Sequence, residues 1–212
     1  TGQTIPIGKR VDTPLRDNVV VLARSHRFDS ESGIGKLARF VNKGELRQVL
    51  DTLAHVHEDM TWFNKVTRED VLARIELGYA AYRQAVIERA DTADVFDAFN
   101  RFRVLCAVRL GAAGVDVMNH CIEQTVWSTR LRSASGWYAG RPVIILRNDY
   151  STALFNGDIG IALPSIEDGG QLRVYFPSSK GFRGYHPTRL PRHDTVYAMT
   201  VHKSQGSEFD EV

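Results

Sequence analysis

The 212-residue sequence predicts an α/β domain with a parallel sheet, interrupted by a small antiparallel β unit. Three observations predict it. Short apolar runs alternate with stretches of helical spacing as far as about residue 150. Brief strand-like segments separated by glycine turns then follow to about residue 192, after which a buried-strand pattern returns at Val196 to Thr200. Strand and helix in alternation read as βα units, in which crossover helices cover a parallel sheet as a three-layer domain.

Asn18-Val19-Val20-Val21-Leu22-Ala23 is β-branched, apolar and short enough for a buried strand, ending at the polar cluster Arg24-Ser25-His26-Arg27. Ile34, Leu37, Ala38 and Val41 fall at helical spacing, with Gly44 as the stop. Thr67 with Asp70 three residues on resembles a capping box, and Val71, Ile75, Tyr82 and Val86 share one face of a helix reaching about Arg89. A further helix is expected from Thr92 to Phe102, then a buried strand at Val104 to Val108. After Arg109-Leu110-Gly111, a helix from about Gly114 to Ser128 turns Val115, Met118 and Ile122 inward. Pro142 to Leu146 reads as the next strand, ending at Arg147-Asn148-Asp149.

Between about Tyr150 and Arg192, Asn156-Gly157, Asp168-Gly169-Gly170 and Ser178-Ser179-Lys180-Gly181 are hairpin signals. They bound strands at Ile159 to Leu163, Leu172 to Phe176 and Phe182 to His186. A meander this small is expected to close as a barrel, since closure removes its edges.

Composition is that of a soluble globular protein, with 43% hydrophobic and 25% charged residues. No apolar run of about 18 residues suggests a membrane span. Cys106 and Cys121 have no CxxC spacing and are expected to be reduced, buried thiols. His55, His57 and His120 lack a convincing set of companion ligands, so no metal is assigned. The net charge is +2, unevenly spread: residues 45–100 hold six Lys/Arg against eleven Asp/Glu, residues 130–193 nine against four. A basic segment suits phosphate contacts, and is equally what a solvated charged face looks like.

Two short motifs are decoys. Gly33-Ile34-Gly35-Lys36 has Ser30 where a phosphate loop needs its first glycine and Leu37 where it needs Ser or Thr, so it reads as a helix start. Asp210-Glu211 lacks the apolar strand residues that would position a Mg²⁺-binding pair. The informative stretch is Thr200-Val201-His202-Lys203-Ser204-Gln205-Gly206-Ser207-Glu208-Phe209, behind the apolar Val196-Tyr197-Ala198-Met199. It offers five hydrogen-bonding side chains within six positions, Thr200, His202, Lys203, Ser204 and Gln205, at a strand-to-helix turn. Ligand sites of open α/β sheets sit at such strand ends. Gly111 and Gly114 would admit a ligand beside Arg109, although a tight βα turn explains both glycines as well.

The stretch 200–209 resembles motif V of superfamily 1 DNA helicases, with wording similar to the RecD branch. Ser25-His26-Arg27-Phe28 resembles their motif IV. Cys106-Ala107-Val108-Arg109 with Gly111, Gly114 and Asn119 is similar to RecD wording, as are Arg147-Asn148-Asp149 and Phe155-Asn156-Gly157-Asp158-Ile159-Gly160. The likeness runs along nearly the whole chain. It implies a RecA-like domain of P-loop-NTPase type, the second of two motor domains and itself without a P-loop, over residues 1–150 and 193–212, interrupted at 151–192 by an SH3-like barrel. Thr200, His202, Lys203, Ser204 and Gln205, with Arg109, Asn119 and Asn148, would meet single-stranded DNA. Gly206 and Glu208 would face ATP, and Arg27 would reach the γ-phosphate, where a guanidinium stabilises charge growing in the transition state.

The branch implies a cytoplasmic 5′-to-3′ helicase subunit that uses ATP and Mg²⁺, works with RecB and RecC in exonuclease V, and has a first RecA-like domain as its other motor half. This sequence shows no P-loop, no acidic Mg²⁺ motif on a strand and no motif VI arginine. It is therefore expected to be a fragment that holds neither ATP nor Mg²⁺ alone and is inactive alone. Two competing expectations are a non-catalytic module that binds single-stranded DNA and a structural domain whose site has decayed.

Overall fold

The computed structural model describes residues 29–127 and 136–212. The predicted strand at Asn18 to Ala23, and Arg27 after it, lie outside the described residues. The chain divides into two compact units between Lys65 and Val66.

In the first unit, α1 (Gly33–Lys43) starts at Ser32, whose side chain accepts from Gly35 N, and ends at Gly44 in the left-handed conformation. α2 (Leu46–Ala54) is an element to which no expectation attached. The Gly33-Ile34-Gly35-Lys36 segment is the helix start that its spacing predicts. The Asp59 carboxylate accepts from Gly33 N at 2.9 Å and Ile34 N at 3.0 Å, so the protein's own anion already sits on these amides. Those bonds, led by the one from Ile34, hold the Asp59 carboxyl below its ordinary value.

The second unit begins with the capping box, formed in both directions between Thr67 and Asp70. The single helix expected to Arg89 is instead two, α3 (Arg68–Gly78) and α4 (Ala80–Ile87), broken at Tyr79. The break has a tertiary cause. The Phe102 ring packs so closely on Gly78 that a Cβ there would come within 2.6 Å of it, and Tyr79, turned fully inward, donates its hydroxyl to the Tyr197 carbonyl. α5 (Thr92–Asn100) follows, then β1 (Val104–Cys106) and α6 (Val115–Val126).

β2 (Arg141–Ile145) departs from expectation. It does not join a parallel sheet but pairs antiparallel with β3 (Ile159–Pro164) on one side and β6 (His193–Thr195) on the other. With β4 (Leu172–Ser178) and β5 (Gly181–Tyr185) the order is β5-β4-β3-β2-β6. Glycine turns bound the meander as predicted; β3 and β4 run one and two residues longer than expected, and β5 is shifted back by one residue. The expected barrel does not close, because β5 and β6 are the two edges of an open sheet. Its faces are already satisfied by other means. Ile161 and Leu163 pack into the core that holds Tyr79, Tyr82, Phe96 and Phe99, while Val143, Ile145, Ala162, Val174 and Phe176 form a second core closed by Leu154, Trp137 and Leu190.

From β6 the chain runs through Val196 and Tyr197 directly into β7 (Ala198–Thr200), which pairs in parallel with β1 in the register Val104↔Ala198, Leu105↔Met199, Cys106↔Thr200. A parallel bridge joins Phe102 to Glu211. Among the described residues these are the parallel pairings, fewer than the full parallel sheet expected.

The main core is aromatic. The Tyr197 and Tyr82 hydroxyls both donate to the Gly140 carbonyl, at 2.7 and 2.8 Å, and Trp127 Nε1 donates to the Tyr197 oxygen at 2.6 Å. Tyr138, 3.2 Å from that oxygen, bonds to Glu123. Gly140 has φ +81°, and a Cβ there would lie 2.5 Å from the Trp127 ring, so glycine is required. Because Tyr197→Phe strips partners from buried polar groups, it should cost about 1–3 kcal/mol of stability in urea unfolding.

Burial raises the hydroxyl of Tyr79 to about 12 and those of Tyr82, Tyr138 and Tyr197 also above the ordinary value of 10. The unfolded chain ionises these phenols near pH 10 while the folded chain keeps their protons. Their contribution is therefore complete below about pH 10 and lost as the pH rises toward about 12. Urea midpoints should hold steady from about pH 8 to about pH 9.5 and fall steeply above it.

Candidate nucleic-acid interface

β1 and β7 run in parallel, so both finish on the same side, with Cys106 opposite Thr200. The Arg109 turn follows one strand and the Thr200 turn the other, which brings two of the predicted clusters to one place. Past β7 the chain makes a 3-10 turn, Val201–Ser204, in place of the expected helix. Thr200 caps it by accepting from Lys203 N at 3.3 Å, and Ser204 Oγ donates to Val201 O at 2.8 Å. Val201, His202, Lys203, Gln205 and Gly206 are exposed, Thr200 and Ser204 half-buried. Gly206 has φ +86° and open space around it, which turns the chain sharply toward Glu208.

The βα turn after β1 explains its two glycines. Gly111 has φ +97°, and a Cβ on Gly114 would come within 2.5 Å of the Arg109 carbonyl. Arg109 itself is half exposed and held by two carboxylates, with Nη2 2.8 Å from Asp194 and Nε 3.6 Å from Asp116. The hydrogen bond to Asp194 is the largest cause of a guanidinium held above its ordinary value. Asp194 lies in β6 and Asp116 in α6, so Arg109 joins the antiparallel sheet to the end of β1. Both acids were missed in the sequence; for Asp194 the reason is that nothing local marks a pair formed across 85 residues. Val108, Leu110 and Val201 are exposed on the same two turns.

Asn119 is not on this surface. It is buried beneath β7, where Nδ2 donates to Ala198 O at 3.0 Å and Oδ1 accepts from Ala198 N at 2.8 Å. Its amide serves as a substitute strand edge in the interior, away from the surface of the two turns. Asn148 belongs to the β2–β3 connection and accepts from Asn156 N at 2.8 Å. Arg27 lies outside the described residues.

Arg103 was also missed. Fully buried, it donates Nη1 to the Val196 carbonyl at 2.9 Å and stacks between Phe99, at 3.8 Å, and Phe209, at 5.0 Å. Its main-chain N–H donates to Glu211 O at 3.0 Å. It therefore ties the start of β7 and the segment after Glu208 to the helical core. Burial is the main cause that lowers its proton affinity. Among the described residues no cluster of His, Cys, Asp and Glu is arranged to hold a metal. A concavity of about 860 Å³ between the α4–α5 connection and β3 to β5, lined by Arg89, Asp91, Ser165, Arg173 and Phe182, contains none of the predicted site residues.

No family model matches the chain. It is similar to the RecBCD enzyme subunit RecD of Haemophilus influenzae, 32% identical over 227 residues, covering 95% of this chain and 33% of that protein. It is similar to the RecD of Mycolicibacterium smegmatis at 34% identity, with 92% and 34% covered. It also resembles the ATP-dependent RecD2 DNA helicase of Deinococcus radiodurans, 32% identical over 114 residues, 52% of this chain and 15% of that protein. The chain thus spans about a third of the length of the RecD subunits it matches. A solved structure described as two coordinating Pif1 helicases unwinding forked duplex DNA matches at TM-score 0.31 and 16% identity, covering 69% of this chain and 40% of that one.

Two substitutions separate structural from surface roles. Asn119→Ala should lower stability by about 2–4 kcal/mol, since it strands a buried main-chain donor and acceptor. Arg109→Ala should change it by less than about 1 kcal/mol, as expected for exposed ion pairs. Urea unfolding of both variants checks the contrast.

Proposed function

We propose that this chain, a relative of RecD subunits along nearly all of its length, is part of the motor of an ATP-dependent 5′-to-3′ DNA helicase subunit of exonuclease V, acting in double-strand break repair. The observation that carries the proposal is the exposed Thr200–Gln205 turn at the carboxyl end of β7, beside the end of a parallel neighbour, in a chain with RecD-like sequence. Thr200, His202, Lys203, Ser204 and Gln205 would bind the phosphate backbone of a single strand. Lys203 supplies charge, and the hydroxyl and amide groups fix register without reading sequence. Arg109 would join them by exchanging a carboxylate for a phosphate. Asn148 would contact the strand from the β2–β3 connection.

Gly206 and Glu208 would face ATP with its Mg²⁺, and Arg27 its γ-phosphate. On this reading the chain forms a second RecA-like domain, with residues 151–192 as an insertion between its parts at 1–150 and 193–212. It works in the cytoplasm with a first RecA-like domain and with RecB and RecC. The activity belongs to the assembled motor. The chain alone supplies strand contacts and an arginine but holds no nucleotide.

Two measurements test this. The purified chain should show no ATP turnover above background with single-stranded DNA present, and robust turnover abolished by Arg27→Ala would contradict the division of labour. Labelled oligonucleotide should bind weakly, with a salt slope that falls by about 0.7 in Lys203→Ala, the contribution of one neutralised phosphate on a single strand. Submicromolar binding with a steep slope would favour a dedicated binding module, and affinity unchanged in both Lys203→Ala and His202→Ala would point to a decayed site.

A further inference from the structure

The β2–β3 connection, residues 146–158, is a long loop held by hydrogen bonds within itself and to the strands beside it. Asp149 and Leu154 exchange two main-chain hydrogen bonds, at 2.8 and 3.2 Å. Asp149 Oδ1 accepts from the amide and hydroxyl of Ser151, Asn148 Oδ1 from Asn156 N, and Asp158 from Phe155 N. Gly157 N donates to Ile145 O at 2.9 Å, and the Tyr185 hydroxyl of β5 donates to Thr152 O at 2.7 Å. Leu154 is buried in the second core, and Ala153 is held at φ 54°, where a non-glycine residue costs about 1 kcal/mol or more. The loop is rigid by construction.

What it presents to solvent is unusual for so constrained a segment. Tyr150 is 82% exposed and Phe155 44%, their rings edge to face with centroids 6.0 Å apart. Tyr150 buries little that could stabilise the fold, and Phe155 leaves 44% of its surface in solvent. Two cations flank the start of the loop. Arg147 begins the loop, and Leu146 N donates to Arg192 O at 2.8 Å, which sets Arg192 next to the end of β2. Both arginines are exposed and have no ion pair among the described residues. The loop's acids make no ion pair with either arginine among the described residues; Asp149 and Asp158 accept hydrogen bonds from Ser151 and Phe155 instead.

We propose that Tyr150 and Phe155 form a stacking platform for an unpaired base of single-stranded DNA, with Arg147 and Arg192 meeting the flanking phosphates. Base stacking on an aromatic face contributes about 1–3 kcal/mol per base whatever the base, and a rigid platform loses little entropy on binding. Exposed arginines without acid partners complement the strand's charge. The inference rests on the strand-binding reading above and extends the strand's path onto the antiparallel sheet, where Asn148 would be its neighbour.

The test compares a labelled oligo-dT with a strand of equal length made of abasic nucleotides, both titrated against the purified protein. The Tyr150→Ala/Phe155→Ala variant should bind oligo-dT about tenfold more weakly and the abasic strand unchanged. Tyr150→Phe/Phe155→Tyr, which keeps both rings, should bind like the parent. Arg147→Ala/Arg192→Ala should weaken both strands and lower the salt slope by about 0.7 for each phosphate no longer neutralised. Equal weakening on both strands in the ring-deleted variant, or none on either, overturns the platform. Binding that depends on Lys203 but not on the rings defeats this inference alone, whereas no binding of any strand defeats the parent reading as well.

Discussion

The three residues Val196, Tyr197 and Ala198 carry the chain out of an antiparallel sheet and into a parallel pairing, and their main chain is satisfied largely by side chains. Arg103 donates to the Val196 carbonyl, Tyr79 to the Tyr197 carbonyl, and Asn119 both donates to and accepts from Ala198. A buried main-chain group without a partner costs about as much as a missing hydrogen bond. Four such groups at the entrance to β7 would not be tolerated if the side chains around them were absent. This collar fixes where β7 lies against β1 and where the Thr200 turn emerges. The helix break at Tyr79, the burial of Arg103 and the interior place of Asn119 all follow from it.

Rigidity at the strand end matters for what the turn can do. Hydrogen-bonding groups that meet a phosphate backbone bind better when little has to be ordered on binding. The core beneath the turn is correspondingly stiff: Tyr197 contributes its main chain to the collar and its hydroxyl to the network around Gly140 and Trp127. Charge is handled differently at the two strand ends. Arg109, after β1, is already engaged by Asp194 and Asp116, whereas Lys203, after β7, has no ion pair among the described residues. In the strand-binding reading, a phosphate meets Lys203 directly and competes with carboxylates for Arg109.

How much of this could be read in the sequence depends on the range of the interactions involved. The capping box at Thr67 and Asp70, the stop at Gly44 and the glycine turns of the meander are set by neighbours within a few residues, and the structure shows them where the spacing puts them. The exposed Thr200–Gln205 turn behind an apolar strand was legible for the same reason. The direction of pairing of β2 was not. A short apolar run between turn signals states that a strand is buried, and says nothing of its partner. The break in the α3–α4 stretch was hidden because Phe102 and Tyr197, which impose it, are distant in sequence. Asn119 looked like a surface ligand because a polar residue on a helix gives no sign that a strand edge will claim its amide.

Amide hydrogen exchange followed residue by residue bears most directly on the collar. If side chains clasp the entrance to β7, the Ala198 amide should exchange only with global unfolding, while the amides of Gln205 and Gly206 exchange many orders of magnitude faster. Ala198 exchanging as freely as Gly206 would contradict the account, because the strand that presents the turn would then be no more fixed than the turn itself.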